Sequence, residues 1–563
     1  MLLFFVLSIS LHPVDLKRVK TPFGYVEGVA HQLGDQWFDV YLGIPFGRSQ
    51  RFQKSTLIEP WEGLINATFM GPACYNTYYG NQARASMDFI SERESPSLLV
   101  TDEDCLYLHV MAPAATTWNV KGYPVLVITR GGVFEINGGN LIAGKTEVLL
   151  RNFVSKGIVV VDPLYSFVLF RVPKHRRQQV SGELRALGST SCASVRPESD
   201  QILWRKSRRN NGYGSGDVVS ALSLSPHTNQ LFQRAIQIGG SMFSQTNLGS
   251  NCKNDSDLLA KQFGCQTAED CPDLQSGPLA HIRNCIAQLG LVTDRLDYLS
   301  GFRFVPRIDG DFFPDSLENL LKKAPRIPTI SGVTQLESAL TSFFPLFRDN
   351  RRFYVPKAKQ KFYSRKALLN LIVSLDDAEL KEELISYYAL RRAEGNEKED
   401  SVIYLKLQAE LSSDILFNIP IYYEALKKAS LHWPVYLYEE EYYHGSQTEL
   451  PFNTSTMWSI NTYLFETYFG SKFALNADDK RYQRNVLSAF TSFIKTGTPQ
   501  VNNRPWLQIT PENPNRYMAF NVKSGMKEGF KNVSTWFWLE HVQKQKERFK
   551  NLHLLFPSIE TLC

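Results

Sequence analysis

The chain lacks any apolar run near the ~20 residues that a membrane-spanning helix requires, so a transmembrane reading has no segment to stand on. It also lacks the hydrophobic tail of a lipid-anchor signal, ending instead in FPSIETLC. Strong charge of either sign is missing: a net +6 over 563 residues makes no case for nucleic acid as a partner. No close CxxC pair stands beside a histidine pair, which removes the support for a zinc cluster, and no residue pattern calls for a cofactor. Internal repeats and low-complexity tracts are absent, which excludes a solenoid. What remains is 43% hydrophobic and 12% aromatic, ample material for a globular core.

The stretch on which the rest is organised is residues 211–226, NGYGSGDVVSALSLSP. A glycine-bracketed pentapeptide leading into an apolar run at helical spacing is the pattern of a nucleophile elbow, where a sharp strand-to-helix turn lifts one side chain out of a sheet. The pentapeptide here is Gly212, Tyr213, Gly214, Ser215, Gly216. Its centre, where GxSxG carries the nucleophile, is Gly214, and the serine follows one place later.

The eight cysteines and four NxS/T sequons point to export. Cys74 and Cys105 flank a polar stretch, and Cys252, Cys265, Cys271 and Cys285 crowd one short region, as disulfides in an oxidising compartment do. Four cysteines allow three connectivities. Asn66, Asn254, Asn453 and Asn532 are glycosylation acceptors by sequence. Residues 1–11, opening MLLFFVLSIS, read as the apolar core of a signal peptide without its usual positive start, or else as a buried first strand. The expectation is a secreted, soluble protein, with residues 12–563 forming one domain. Cys563 either stays free or links two chains into a dimer.

Along the chain, residues 21–41 alternate apolar and polar around Gly24, Gly28 and Gly34, which predicts short antiparallel strands. YPVLVIT and GIVVVDP are dense apolar runs suited to a sheet covered on both faces. Residues 367–428 carry apolar positions at helical spacing and predict helices packed over that sheet.

The phrases GIPFGRSQRF, GPAC at residues 71–74, DEDCLYLHV at 102–110, the SLSP…LFQRAIQIGG run after the elbow, GVTQLES at 332–338 and YYHGSQTELP together resemble the type-B carboxylesterase and cholinesterase-like family. The resemblance covers nearly the whole chain. It implies an α/β-hydrolase fold, with a central mostly parallel sheet flanked by helices. It further implies Cys74 joined to Cys105, Arg51 paired with Glu103, and Cys265 joined to Cys285, which leaves Cys252 for Cys271.

Position by position, the resemblance puts Gly214 at the nucleophile, Glu337 at the orienting acid and His444 at the base. Such a triad works because the imidazole takes the nucleophile's proton, the acid orients the imidazole, and N–H donors hold the oxyanion. Those donors would come from Gly132, Val133 and Ser215; Val133 stands where the family has a glycine, and Arg130 where it has a histidine. Glycine at 214 cannot form an acyl-enzyme. Ser215 as substitute is an unfavourable choice, because a misplacement of about 1 Å can cost ~10²-fold in rate. Between Cys74 and Cys105 there is no tryptophan for a choline cation to sit on, so acetylcholine is a poor substrate expectation.

The expectation is therefore a non-catalytic member with a binding or adhesion role toward an extracellular protein, as in neuroligin, neurotactin and gliotactin. The alternative is an active carboxylic ester hydrolase that takes a small ester with Ser215.

Residues 172–211 depart from the family text and are basic. A solvated basic loop is one reading. A frame or splice error is the other: shifting a back-translation of ILWRKSRRNN by one base yields FFGENPEET, which looks like the family's turn before the elbow. Trp204, always TGG, forces a glycine in that frame.

Overall fold

A computed structural model describes residues 16–48, 55–74, 101–114, 122–129, 145–164, 210–248, 252–267, 271–289, 305–344, 352–375, 380–391, 400–444, 450–466 and 474–542. The frame is a 13-stranded mixed sheet. Its strands are β1 (Leu16–Lys20), β2 (Tyr25–Leu33), β3 (Gln36–Pro45), β4 (Leu64–Asn66), β5 (Tyr107–Pro113), β6 (Val125–Thr129), β7 (Val159–Pro163), β8 (Asn210–Ser215), β9 (Arg234–Ile238), β10 (Thr329–Thr334), β11 (Val435–Glu440), β12 (Tyr517–Phe520) and β13 (Gly525–Lys527). They lie in the order β1-β2-β3-β5-β7-β6-β8-β9-β10-β11-β12-β13, with β4 beside β2.

From β7 to β12 neighbouring strands run parallel; the β1-β2-β3-β5 end and the closing β12-β13 pair are antiparallel. The antiparallel strands expected over residues 21–41 are the edge formed by β1, β2 and β3. The dense apolar runs become β6 and β7, adjacent and parallel. Their Val, Leu and Ile side chains are largely buried because helices cover both faces of the parallel part.

On one face lie α1 (Thr146–Asn152), α8 (Ser459–Phe465) and α9 (Ala477–Thr496). Leu149, Tyr463, Val486, Phe490 and Phe493 from these helices pack on Leu126, Ile128, Ile236 and Tyr438 of the sheet. The other face is covered by α2 (Gly216–Leu224), α3 (Cys252–Lys261), α4 (Leu279–Gln288) and α7 (Ile419–Ser430), which bury Val218, Leu222, Leu259, Ile286, Ile421 and Ala425 against Ala235, Val333 and Leu437. The helical reading of residues 367–428 corresponds to α5 (Arg365–Val373), α6 (Ser401–Ser413) and α7; α5 and α6 form a separate cluster with Tyr388 and Trp538.

Helix α9 begins where its sequence says it should. Asn476 caps the first turn and Asp479 reaches back to the Asn476 N–H, a complete capping box, and Gly497 in the left-handed region ends it. Among the described residues no helix is long and apolar enough to cross a membrane.

One disulfide follows the expectation: Cys74 and Cys105 are joined. The second does not. Cys265 is bonded to Cys271, six residues on, with Cα atoms 5.4 Å apart, and Cys285 is a free buried thiol on α4 with Sγ 3.9 Å from His281 Nε2. The two thiols stand only six residues apart with Cα atoms inside the range a disulfide spans, so no long-range packing is needed to join them. Pairing of Cys265 with Cys285, and hence of Cys252 with Cys271, is corrected accordingly; of Cys252 only the backbone, at the start of α3, is described. Asn66, Asn254, Asn453 and Asn532 all lie at exposed positions.

Candidate active site

The strand-to-helix elbow forms where the sequence places it. β8 is buried between β6 and β9, with Gly214 in register with Thr129 on one side and Gln237 on the other. Two side chains hold the strand from the flank: Thr129 Oγ1 donates to the Tyr213 carbonyl at 3.0 Å, and Asn211 Nδ2 donates to the Val125 carbonyl at 2.9 Å. The turn is closed around its glycine. A Cβ built on Gly214 would lie 1.9 Å from the Thr129 carbonyl oxygen and 2.3 Å from its Oγ1, far inside van der Waals contact. Gly214 therefore has neither a side chain nor the room for one in this backbone.

Ser215 occupies the N-cap position of α2 without capping it. Its hydroxyl is buried and donates to Asp217 Oδ1, itself a buried carboxylate in the first turn of the helix. That contact directs the only hydroxyl of the pentapeptide besides Tyr213 into the helix terminus.

Glu337 follows β10 in a tight turn, where its Oε1 accepts from the Thr334 N–H at 2.8 Å. Burial pushes its carboxyl up to about 7, against the opposing influence of that hydrogen bond and of Lys531. Above it stands Gly239, where a Cβ would come within 3.1 Å of both carboxylate oxygens.

His444 lies just beyond β11. Its Nε2 stands 3.5 Å from Asp479 Oδ2, the carboxylate of the α9 capping box. Ser215, Glu337 and His444 make no hydrogen bond or ion pair with one another among the described residues; Asp217, Thr334 and Asp479 are the partners seen instead. The structure thus forms the elbow and buries the acid but does not assemble the three into a relay. Gly132, Val133, Arg130, Arg51 and Cys563 lie outside the described residues, as does the basic stretch up to residue 209.

Sequence reasoning missed Glu440. It is the middle of three consecutive glutamates at the end of β11, and the alternation of a strand turns it to the opposite side from its neighbours. Glu439 pairs with Lys531 and Glu441 with Lys527, each at 2.7 Å. Glu440 is buried, accepting from Ser459 Oγ at 2.6 Å and Tyr482 OH at 2.8 Å. Burial, with a smaller contribution from Glu337, pushes its carboxyl up to about 8. Two carboxyls held toward neutrality thus lie near the C-terminal ends of β10 and β11, the edge where open α/β sheets place their ligands. A triple glutamate ending a buried strand was the available signal.

Among known proteins, the chain is 26% identical to gut esterase 1 of Caenorhabditis elegans, over 94% of this chain and 93% of that protein. It is 24% identical to bile salt-activated lipase of Rattus norvegicus, over 93% of this chain and 85% of the lipase, and 25% identical to rat carboxylesterase 1D, over 89% and 88%. The carboxylesterase family matches residues 15–170 and 212–538, leaving out 171–211, the basic stretch. With that match spanning most of the chain on both sides of the gap, and with a helix-flanked, mostly parallel sheet beneath it, the chain belongs to the carboxylesterase family and has its α/β-hydrolase fold.

Proposed function

We propose that this chain has given up acyl transfer and serves as a secreted, disulfide-bonded binding or adhesion protein for an extracellular protein partner. The observation that carries the reading is the elbow: glycine at the nucleophile position, with the Thr129 carbonyl 1.9 Å from where a Cβ would lie. Acyl-enzyme formation needs an activated oxygen or sulfur, and glycine offers neither. The Ser215 hydroxyl, turned onto Asp217, is a poor replacement. Exposed sequon asparagines and the Cys74–Cys105 bridge support passage through an oxidising compartment.

The test is incubation of the folded protein with a fluorophosphonate probe. No covalent labelling is expected, and His444→Gln should change nothing. Labelling at Ser215 that is lost in His444→Gln would overturn the proposal in favour of an ester hydrolase built on Ser215, His444 and Glu337. The esterase and lipase names of the relatives favour that second reading.

The gap in the family match supports reading residues 172–211 as a frame or splice error. Sequencing of the mature transcript decides: an uninterrupted frame through Trp204 would sink that idea.

A further inference from the structure

We propose that Asp479, and not Glu337, is the carboxylate that holds and orients His444, through an ion pair joining the end of β11 to the first turn of α9. Asp479 is fully buried, and a buried carboxylate is stable only when several donors converge on it. Here they do: Oδ2 accepts from the Asn476 N–H at 2.8 Å and faces His444 Nε2 at 3.5 Å, while Oδ1 accepts from Tyr442 OH at 2.9 Å and Tyr463 OH at 3.3 Å. Its place in the first turn of α9 adds the helix dipole, which favours negative charge there. An ionised carboxylate is what attracts an imidazolium. Glu337 is poorly suited to that role, because burial drives it toward the neutral acid and its Oε1 already accepts from the Thr334 N–H.

The direction of the contact has a chemical consequence. In a serine-hydrolase relay Nδ1–H faces the acid and Nε2 faces the nucleophile. In this chain Nε2 faces Asp479, so the nitrogen that would take a nucleophile's proton is occupied. The inference deepens the loss of acyl transfer and rests on it, since an Nε2 turned to Asp479 does not also serve Ser215. The titratable groups around the pair are Glu440, Tyr442 and Tyr443 at the end of β11, Tyr463 on α8, and Asp478 and Tyr482 on α9.

The experiment follows the His444 imidazole by NMR in the full chain labelled at histidine, with His444→Gln identifying its signal. Asp479→Asn is expected to move the His444 ring nitrogen signals away from their wild-type positions, because the group facing Nε2 is changed. Glu337→Gln should leave them in place. Ring signals that move with Glu337→Gln and ignore Asp479→Asn would overturn the proposal.

Should Asp479→Asn fail to fold, thermal melts decide without it. The wild type should melt higher than His444→Gln at one fixed pH, since the contact with Asp479 ties the end of β11 to α9. That margin should persist in the Glu337→Gln background; its disappearance there would assign the partnership to Glu337.

Discussion

Two buried polar regions flank the elbow, and they are built differently. Behind α2, Glu424 and Lys428 form an ion pair at 2.7 Å on α7, with neither side chain exposed to solvent beyond a few per cent. Ser220, Ser241 and Gln237 all donate to the Glu424 carboxylate, and the Gln237 carbonyl oxygen accepts from Lys428 Nζ at 3.3 Å. At the ends of β10 and β11 no cation among the described residues is bonded to the carboxyls of Glu337 and Glu440, which share one neighbourhood and are each raised toward neutral pH. The first region is saturated with matched donors and pins α2, β9 and α7 together. The second instead holds its carboxyls toward the neutral acid. Matched ion pairing belongs to the scaffold, while perturbed carboxyls gather at the strand-end edge where open α/β sheets place their ligands.

The largest expected break comes from the scaffold side. Glu424→Ala would strand a buried ammonium, and losing one partner of such a pair costs about 3–5 kcal/mol, to be read as a lower midpoint in guanidinium unfolding. The double change Glu424→Leu with Lys428→Met should recover much of that loss, since apolar replacement of a whole buried pair is often neutral.

Next comes the elbow itself. Gly214→Ser must displace the β6 backbone at Thr129, and overpacking of this kind costs about 1–3 kcal/mol. It should therefore lower thermal stability and yield no fluorophosphonate labelling; a stable, labelled Gly214→Ser protein would show that the rest of the site is intact.

A smaller effect is expected from the paired carboxyls. Both hold protons more tightly folded than unfolded, so they contribute stability that is present below about pH 4.5 and is lost as pH rises through about 7 for Glu337 and about 8 for Glu440. Glu440→Gln should flatten the fall of the melting temperature across that window, and an unchanged slope would remove Glu440 from the account.

The smallest change is Gly239→Ser. Its Cβ would sit 3.1 Å from the Glu337 oxygens, where a hydroxyl can donate to the ionised form and lower the pH at which Glu337 titrates. Carboxyl NMR of Glu337 reads this directly.

Much of the architecture was legible before any coordinates. The valine-rich runs of β6 and β7 and the alternation of β2 and β3 encode local choices that agree with the global fold. The elbow could be located to the residue, because a glycine-bracketed turn before an apolar helix has few alternatives. The site was legible only as a set of positions. Glu337 and His444 occupy their expected phrases, yet which carboxylate meets the imidazole depends on where the chain goes after β11 and where α9 begins, and those are separated by some tens of residues. The cysteine connectivity escaped for the same reason: four thiols in one region carry no label for their partners.

From the residues alone came the family text, the sequons, and a glycine where the nucleophile should stand. Only the tertiary structure decided that this glycine is enclosed by the Thr129 carbonyl, that Ser215 turns to Asp217, and that His444 stands against Asp479. The physical reason is that identity is written one residue at a time, whereas steric room, burial and charge pairing are properties of whatever the fold brings within a few ångströms.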